Sequence, residues 1–154
     1  MVLVAEELAS TADARWCLDQ YAANLERLFP EGFDQSRGNR LEPDDVLPPH
    51  GHFVIARLGG RPVGCGALKV LDGRTGEIKR VWTAEEVRGQ GIATRIMDAL
   101  EEIGRAQGFE RLLLDTNRAL VAAQAMYAKR GYREIPPYND NPYAHHWYEK
   151  RMSA

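Results

Sequence analysis

The stretch "VRGQGIATRIMDAL", residues 87–100, decides how the rest of the chain is interpreted. Its first part contains Arg88, Gly89 and Gly91, and the remainder has the apolar spacing of a helix that covers a core with one face. Glycine lets a ligand come close to the backbone, and the first amides of a helix have no partner within the helix. The helix dipole adds roughly half a positive charge at the same end. The stretch therefore predicts an anion site, most commonly for a phosphate, with a merely flexible turn as the alternative.

Two common phosphate-binding loops do not match this stretch. A Walker loop requires Gly-Lys followed by Ser or Thr, which the sequence does not contain. A dinucleotide-binding loop requires a third small residue, and Thr94 stands there after Gly89 and Gly91. The loop also follows several predicted strands instead of the first strand of a βαβ unit. A nucleotide-binding oxidoreductase is therefore a disfavoured class of function.

The segments around residues 87–100 predict one α/β domain over residues 1–154, with a mixed sheet and helices on both faces. Strands are predicted at residues 2–8, 53–58, 62–71, 76–83, 111–116, 132–135 and 145–152. Helices are predicted at residues 10–29, 92–107 and 118–130, with a short helix near Asp44. The first helix begins at the capping pair Ser10 and Asp13. Its apolar stripe consists of Leu18, Tyr21, Leu25 and Leu28.

Composition and charge exclude several classes of partner. The chain is 44% hydrophobic and 27% charged, with a net charge of −2, so we expect neither nucleic acid nor a membrane as a partner. No apolar run reaches the roughly 18 residues of a membrane span, and the first residues lack the basic region of a signal peptide. Cys17 and Cys65 are far apart and predict buried reduced thiols in a cytoplasmic protein without a metal site. The oligomeric state stays open between a monomer and a homodimer.

The longer stretch "EIKRVWTAEEVRGQGIATRIMDAL", residues 77–100, resembles the core of the GNAT superfamily of acyl-CoA-dependent N-acyltransferases. The family signature is Gln or Arg, two residues, Gly, one residue, and then Gly or Ala; here it is Arg88, Gly91 and Ala93. A predicted strand precedes it, and a strand and a helix follow in "LLLDTNRALVAAQAMYAKRGY", residues 112–132. The resemblance implies the family fold, in which a central, mostly antiparallel sheet has a V-shaped split.

The resemblance also implies a cofactor site for acetyl-CoA. Its pyrophosphate would be held by the backbone amides of Arg88, Gly89, Gln90, Gly91, Ile92 and Ala93. Pantetheine would lie in the split and pair with the strand backbone near Val81 and Thr83, as an added strand does. Asn117 would either bind pantetheine or cap the following helix.

Two residues are expected to take part in catalysis. The resemblance assigns Tyr127 as the acid that protonates the leaving thiolate, because a phenol with a pKa of about 10 keeps its proton at neutral pH. The alternative for Tyr127 is a purely structural core tyrosine. Glu77 is the candidate base, acting directly or through water, and its alternative is a solvated ion pair with Lys79. A period of two places both on one strand face with Val81 and Thr83.

The acceptor is expected to be a small-molecule amine, bound between the first helical region and the last strands. The loops there offer acidic, basic and aromatic side chains: Asp34, Arg37, Tyr138, Asp140, Tyr143 and His145. Acidic and aromatic groups suit a cationic amine, and Arg37 suits a carboxylate, although these loops could also be simple polar turns. His145 and His146 are adjacent, so on a strand they point to opposite faces and do not predict a metal site.

Two functions from different classes follow. The first is an N-acetyltransferase, in which the amine attacks acetyl-CoA directly within a ternary complex. The second is a non-catalytic acyl-CoA sensor or scaffold of the same fold. Tyr127 and Glu77 favour the enzyme, because a sensor needs neither residue.

Overall fold

The computed structural model describes residues 1–34, 37 and 41–152. It contains seven strands and three α-helices in this part of the chain, in the order that the sequence predicts. The strands are β1 (Val2–Glu6), β2 (Gly51–Leu58), β3 (Arg61–Asp72), β4 (Thr75–Thr83), β5 (Arg111–Thr116), β6 (Arg133–Ile135) and β7 (His146–Arg151). The helices are α1 (Ala12–Leu28), α2 (Ile92–Ala106) and α3 (Val121–Lys129), and short 3₁₀ turns lie at Pro43–Val46 and Glu85–Val87.

The seven strands form one sheet in the order β1-β2-β3-β4-β5-β7-β6. Strands β4 and β5 are parallel, and the other neighbouring pairs are antiparallel. The parallel pairing covers only Thr75–Glu77 against residues 111–113. Both strands continue beyond it, to Thr83 and Thr116, so the sheet opens there into a V-shaped split. The mostly antiparallel, split sheet confirms the predicted fold class.

Strand β4 contains a bulge at the point where the split begins. Lys79 lies opposite Ala67 and Trp82 lies opposite Cys65, so β4 carries one residue more than β3 between these pairs. Arg80 has a φ of 60° at this position. The extra residue inverts the alternation of side chains, and Lys79 and Trp82 therefore share one face. The prediction that Glu77, Lys79, Val81 and Thr83 share one face is therefore correct for Glu77 and Lys79 but wrong for Thr83, which lies opposite Gly64.

The two longer helices cover opposite faces of β3. Cβ atoms placed on Gly64 and Gly66 would lie 2.8 Å from Ile96 side-chain atoms, so α2 rests directly on the strand backbone. On the other face, Trp16 of α1 makes an edge contact with Trp82, with ring centroids 5.7 Å apart. The helices on both faces agree with the sequence prediction. In the described part of the chain, no helix combines the length and apolarity that a membrane span needs.

Two helix boundaries and the burial of one residue differ from the predictions. The N-cap of α1 is Thr11, not Ser10, and its hydroxyl accepts from the Ala14 amide at 3.1 Å. Leu28, the last residue of α1 and of the predicted apolar stripe, is 42% exposed, whereas Leu25 is buried. Helix α3 begins at Val121, three residues later than expected, because residues 117–120 form turns. The short helix near Asp44 is confirmed.

Candidate active site

The loop before α2 has the geometry of an open anion site. Gly89 and Gly91 have φ values of 83° and 78°, which residues with a Cβ rarely adopt. Gly91 is the N-cap of α2 and supplies no side chain, and a Cβ built there would meet nothing within 4 Å. The first amides of α2 have no partner within the helix and lie at the positive end of the helix dipole, next to the open space beside Gly91. This explains why two glycines precede the helix.

Arg88 lies beside this loop and connects it to α1. Its Nε donates to the Thr83 carbonyl at 3.3 Å, and its Nη2 donates to the Asn24 side chain at 3.3 Å. The side chain is exposed, but its two contacts aim it toward the end of β4 and toward α1. Its direct structural role is to fix the start of the loop against both elements.

The split forms a cleft that reaches from the end of β4 to α3. Ala84 donates its amide to Val63 of β3 at 2.8 Å. Because strand peptide groups alternate in direction, those of the neighbouring Thr83 point away from β3. Val81, Asn117 and Tyr127 all line this cleft. The Thr83 hydroxyl is buried and has no hydrogen-bond partner among the described residues.

Tyr127 lies on α3 and is 7% exposed. Its ring packs against Tyr132 and Tyr148, with centroids 5.8 and 6.2 Å away. Burial raises the pKa of Tyr127 above its ordinary value of 10, and the nearby Tyr21 and Asp115 raise it further. The phenol therefore keeps its proton at neutral pH, as a group that protonates a leaving thiolate must.

Glu77 is buried below the cleft instead of lining it. Its Oε2 accepts from the Tyr138 hydroxyl at 2.7 Å, and its Oε1 lies 3.5 Å from the Lys79 ammonium. Burial lowers the pKa of Lys79, and Glu77 opposes that shift. Burial, followed by the charge of Glu77, raises the pKa of Tyr138. The ion pair with Lys79 exists, but both side chains are at least 93% buried, so the solvated alternative is wrong.

Asn117 holds the far wall of the cleft in place. Its side-chain oxygen accepts from the Ala119 amide at 2.8 Å, and its Nδ2 donates to the Tyr143 carbonyl at 2.7 Å. The N-cap of α3 is Leu120, so the side chain of Asn117 closes a turn and does not cap the helix. The residue joins the end of β5 to the loop before β7.

The expected acceptor residues are only partly brought together. Tyr143 lines the cleft, and its hydroxyl accepts from the Asp34 amide at 2.8 Å. Asp34, Arg37, Asp140 and His145 are exposed and do not belong to the cleft lining. The Nδ1 of His145 accepts from the Arg118 amide at 3.1 Å, which is a turn contact. Residues 35, 36 and 38–40 of the predicted acceptor loop lie outside the described residues.

Several residues that line the cleft were not predicted to lie at the site. They are Tyr21, Phe29, Phe33, Lys79, Arg80, Asp115 and Asn141. Asp115 stands in an apolar strand, and its polarity was a signal that could have marked it. Arg80 gave no signal, because a bulge inside a strand is not visible in residue types. Within the described ranges, no group of three or more His, Cys, Asp and Glu side chains is placed to hold a metal ion.

The comparisons with known proteins agree with this geometry. The family described as "Acetyltransferase (GNAT) family" matches residues 18–132. The IAA acetyltransferase of Azospirillum brasilense is 30% identical over 120 residues, which are 77% of this chain and 78% of that protein. A GNAT-family acetyltransferase from Staphylococcus aureus Mu50 superposes with a TM-score of 0.76 at 17% identity, over 99% of this chain and 100% of that one. A GNAT acetyltransferase from Elizabethkingia anophelis, solved with acetyl-CoA bound, gives 0.66 at 17%, over 98% of each chain.

The split sheet and the family match place this chain among the acyl-CoA-dependent transferases. The chain belongs to the GNAT family of acetyltransferases. Members of this family use acetyl-CoA as the acetyl donor.

Proposed function

We propose that the protein transfers the acetyl group of acetyl-CoA to the primary amine of a small molecule, within a ternary complex in the cleft between β4 and β5. The observation that carries this proposal is the position of Tyr127 in the cleft that the unpaired half of β4 also lines. The open amides at the start of α2 would hold the pyrophosphate. The backbone of Val81 and Thr83 would pair with pantetheine.

The chemistry requires that the amine lose a proton before its nitrogen attacks the thioester carbonyl carbon. The C–N bond forms, the nitrogen releases its second proton to water, the C–S bond breaks, and Tyr127 donates its proton to the sulfur. Glu77 remains the predicted base, and it must act through water because its carboxylate lies below the cleft, bound by Tyr138 and Lys79. Tyr127 regains its proton from solvent, so the net products are the amide, coenzyme A and one proton.

Two further proposals concern the setting of the enzyme. Residues 1–154 act as a single N-acetyltransferase domain, and the cytoplasm is the proposed compartment. The two buried cysteines, Cys17 and Cys65, are both free thiols, which fits a reducing environment.

Two measurements test the proposed function. Acetyl-CoA at about 100 times its dissociation constant should stabilise the fold by about 2.7 kcal/mol in a thermal melt, and NADH, ATP and FAD should not. Release of free thiol should then depend on the presence of an amine from a broad panel. Binding without release for any amine would favour the sensor, and a shift with NADH alone would exclude the acetyl-CoA site.

A further inference from the structure

Lys79 is a buried amine at the wall of the cleft. It lines the cleft together with Tyr127, the proposed acid. Its side chain is only 7% exposed, and its ammonium lies 3.5 Å from Oε1 of Glu77. Glu77 does not itself reach the cleft lining. Lys79 therefore connects the cleft with the predicted base.

The Glu77 carboxylate has a different partner on each oxygen. Oε2 accepts from the Tyr138 hydroxyl at 2.7 Å, and Oε1 faces Lys79. Burial raises the pKa of Tyr138, so this phenol keeps its proton and remains a donor to Glu77. With Oε2 held in this way, Oε1 is the oxygen that can exchange a proton with Lys79.

The surroundings of Lys79 favour its neutral form. Burial lowers the pKa of Lys79, and the negative charge of Glu77 opposes that shift. Among more distant groups, Arg80 and Lys69 lower the pKa of Lys79 and Asp115 raises it. Both charges of a buried ion pair lose hydration. Transfer of one proton from the ammonium to Oε1 leaves an amine and a carboxylic acid, neither of which is charged.

We propose that Lys79 is the catalytic base that takes a proton from the ammonium group of the acceptor and passes a proton on to Glu77. The inference rests on the proposed N-acetyltransferase function and gives Lys79 the part that water would otherwise play between the amine and Glu77. Lys79 first transfers a proton from Nζ to Oε1 of Glu77. The neutral Nζ then accepts a proton from the acceptor, whose nitrogen gains the lone pair that attacks the thioester.

The proton transfers are balanced in atoms and in charge. Lys79 ends the sequence as an ammonium, as it began, and the acceptor has become a neutral amine. Glu77 has become a carboxylic acid and returns its proton to solvent after the products leave. The same cleft therefore contains a base for the amine, Lys79, and an acid for the thiolate, Tyr127.

The first test compares two replacements of Lys79 in an assay of coenzyme A release with an accepted amine. Lys79→Arg keeps a positive charge beside Glu77, but arginine does not lose its proton in proteins and cannot act as a base. We expect Lys79→Arg and Lys79→Gln each to lower kcat by about 100-fold, with the acetyl-CoA thermal shift intact. If Lys79 only formed a structural ion pair, arginine would replace it. Activity of Lys79→Arg within tenfold of wild type would therefore overturn the inference.

Lys69→Gln is the matched control for these variants. Lys69 lies on the neighbouring strand β3, is 31% exposed at its side chain and pairs with Asp45 at 3.9 Å. It does not line the cleft, so the same loss of a lysine charge should leave kcat within twofold of wild type. A fall in Lys69→Gln as large as that in Lys79→Gln would show that net charge and not the position of the amine matters, and would overturn the inference.

The second test changes the acceptor. Fluorine on the carbon next to the one that bears the amino group makes an amine a weaker base, so more of it is already neutral at pH 7. Such an amine has less need of a base for its first proton. The loss of kcat/KM caused by Lys79→Gln should therefore be at least tenfold smaller for the fluorinated amine than for its parent. Equal losses for the two amines would assign Lys79 a structural role only.

Carbon NMR of the wild-type protein, labelled in its lysine side chains, gives a result that does not depend on the folding of a variant. One ε-carbon signal should titrate below the ordinary range of a lysine side chain. Titration of every lysine within that range would overturn the inference and leave the proposed function standing. No release of coenzyme A by the wild-type protein with any amine would count against both.

Discussion

The two ends of β4 differ in the strands that lie beside them. Residues 75–77 pair with β3 on one side and with β5 on the other, and they are buried. Beyond residue 77, β4 still pairs with β3 but no longer with β5, and its residues 78–81 line the cleft instead. The first end of β4, residues 75–77, has strands on both sides and is called the closed end. The second end, residues 78–83, has an edge that does not pair with β5 and is called the open end. The difference indicates that substitutions at the first end should affect stability, and those around the second end should affect binding or turnover.

The largest effect is expected for Tyr127→Phe, at the open end. The substitution removes one hydroxyl, and the ring still packs against Tyr132 and Tyr148. We expect kcat to fall by about 100-fold with little change in KM, because the proton matters as the C–S bond breaks. Tyr148→Phe is the control, since it removes a hydroxyl from the neighbouring ring. Steady-state kinetics with an accepted amine measures both, and a kcat within twofold of wild type for Tyr127→Phe would remove it from the mechanism.

The second-largest effect is expected for Gly76→Ala, at the closed end of β4, and it concerns stability. A Cβ on Gly76 would lie 2.8 Å from Leu68 Cδ1 and 2.9 Å from Phe109 Cε2. Gly76→Ala should therefore reduce the free energy of unfolding by about 1–3 kcal/mol through overpacking. Gly73→Ala is matched to it, because a Cβ there meets nothing within 4 Å. Urea unfolding should separate the two variants, and equal midpoints would show that the closed end tolerates added volume.

A smaller effect is expected in the loop that follows the open end. Gly91→Asp places a negative charge beside the open amides of α2, and acetyl-CoA should bind at least tenfold more weakly, about 1.4 kcal/mol. Gly91→Asn has the same shape without the charge, and Asn tolerates a positive φ almost as well as any residue with a side chain. Calorimetry on both variants separates charge from backbone strain. Equal affinities for the two would argue against a phosphate at this loop.

The smallest effect is expected for Thr83→Val, which leaves the backbone of the open end intact. The buried Thr83 hydroxyl has no partner among the described residues, so replacing it by a methyl group should raise the free energy of unfolding by about 1 kcal/mol. Acetyl-CoA affinity should stay within twofold, because only the backbone of this residue is expected to pair with pantetheine. A large loss of affinity would instead show that the hydroxyl itself contacts the cofactor.

The closed end of β4 and the glycine loop were predictable from the sequence. The side chains that line the cleft between β4 and the loop before β7 were mostly not. Strand periodicity, the two glycines and the helix spacing after Gly91 are local signals, and they placed β4, β5 and α2 within about two residues. The bulge at Arg80 is set by the pairing of β4 with β3, which local patterns do not contain. For that reason the face of Thr83 was predicted wrongly.

Burial of polar side chains was equally hard to predict. Glu77 was predicted as the base, with a solvated ion pair with Lys79 as the alternative, and the sequence does not show that both side chains are buried or that Tyr138 of a distant loop binds Glu77. Asp115 was passed over as part of an apolar strand, although its contacts with Asn139 and Asn141 bring it into the cleft lining. Contacts between residues far apart in sequence decide which charges reach a cleft.

Gly64 and Gly66 have a consequence for engineering this protein. Because these glycines let α2 rest on the backbone of β3, the start of α2 is positioned by a contact that involves none of the acceptor-side loops. Loops around residues 29–40 and 136–145 could therefore be exchanged for those of other family members while the donor site keeps its geometry. We expect grafting such loops, with Gly64 and Gly66 retained, to change the choice of acceptor while the affinity for acetyl-CoA is kept.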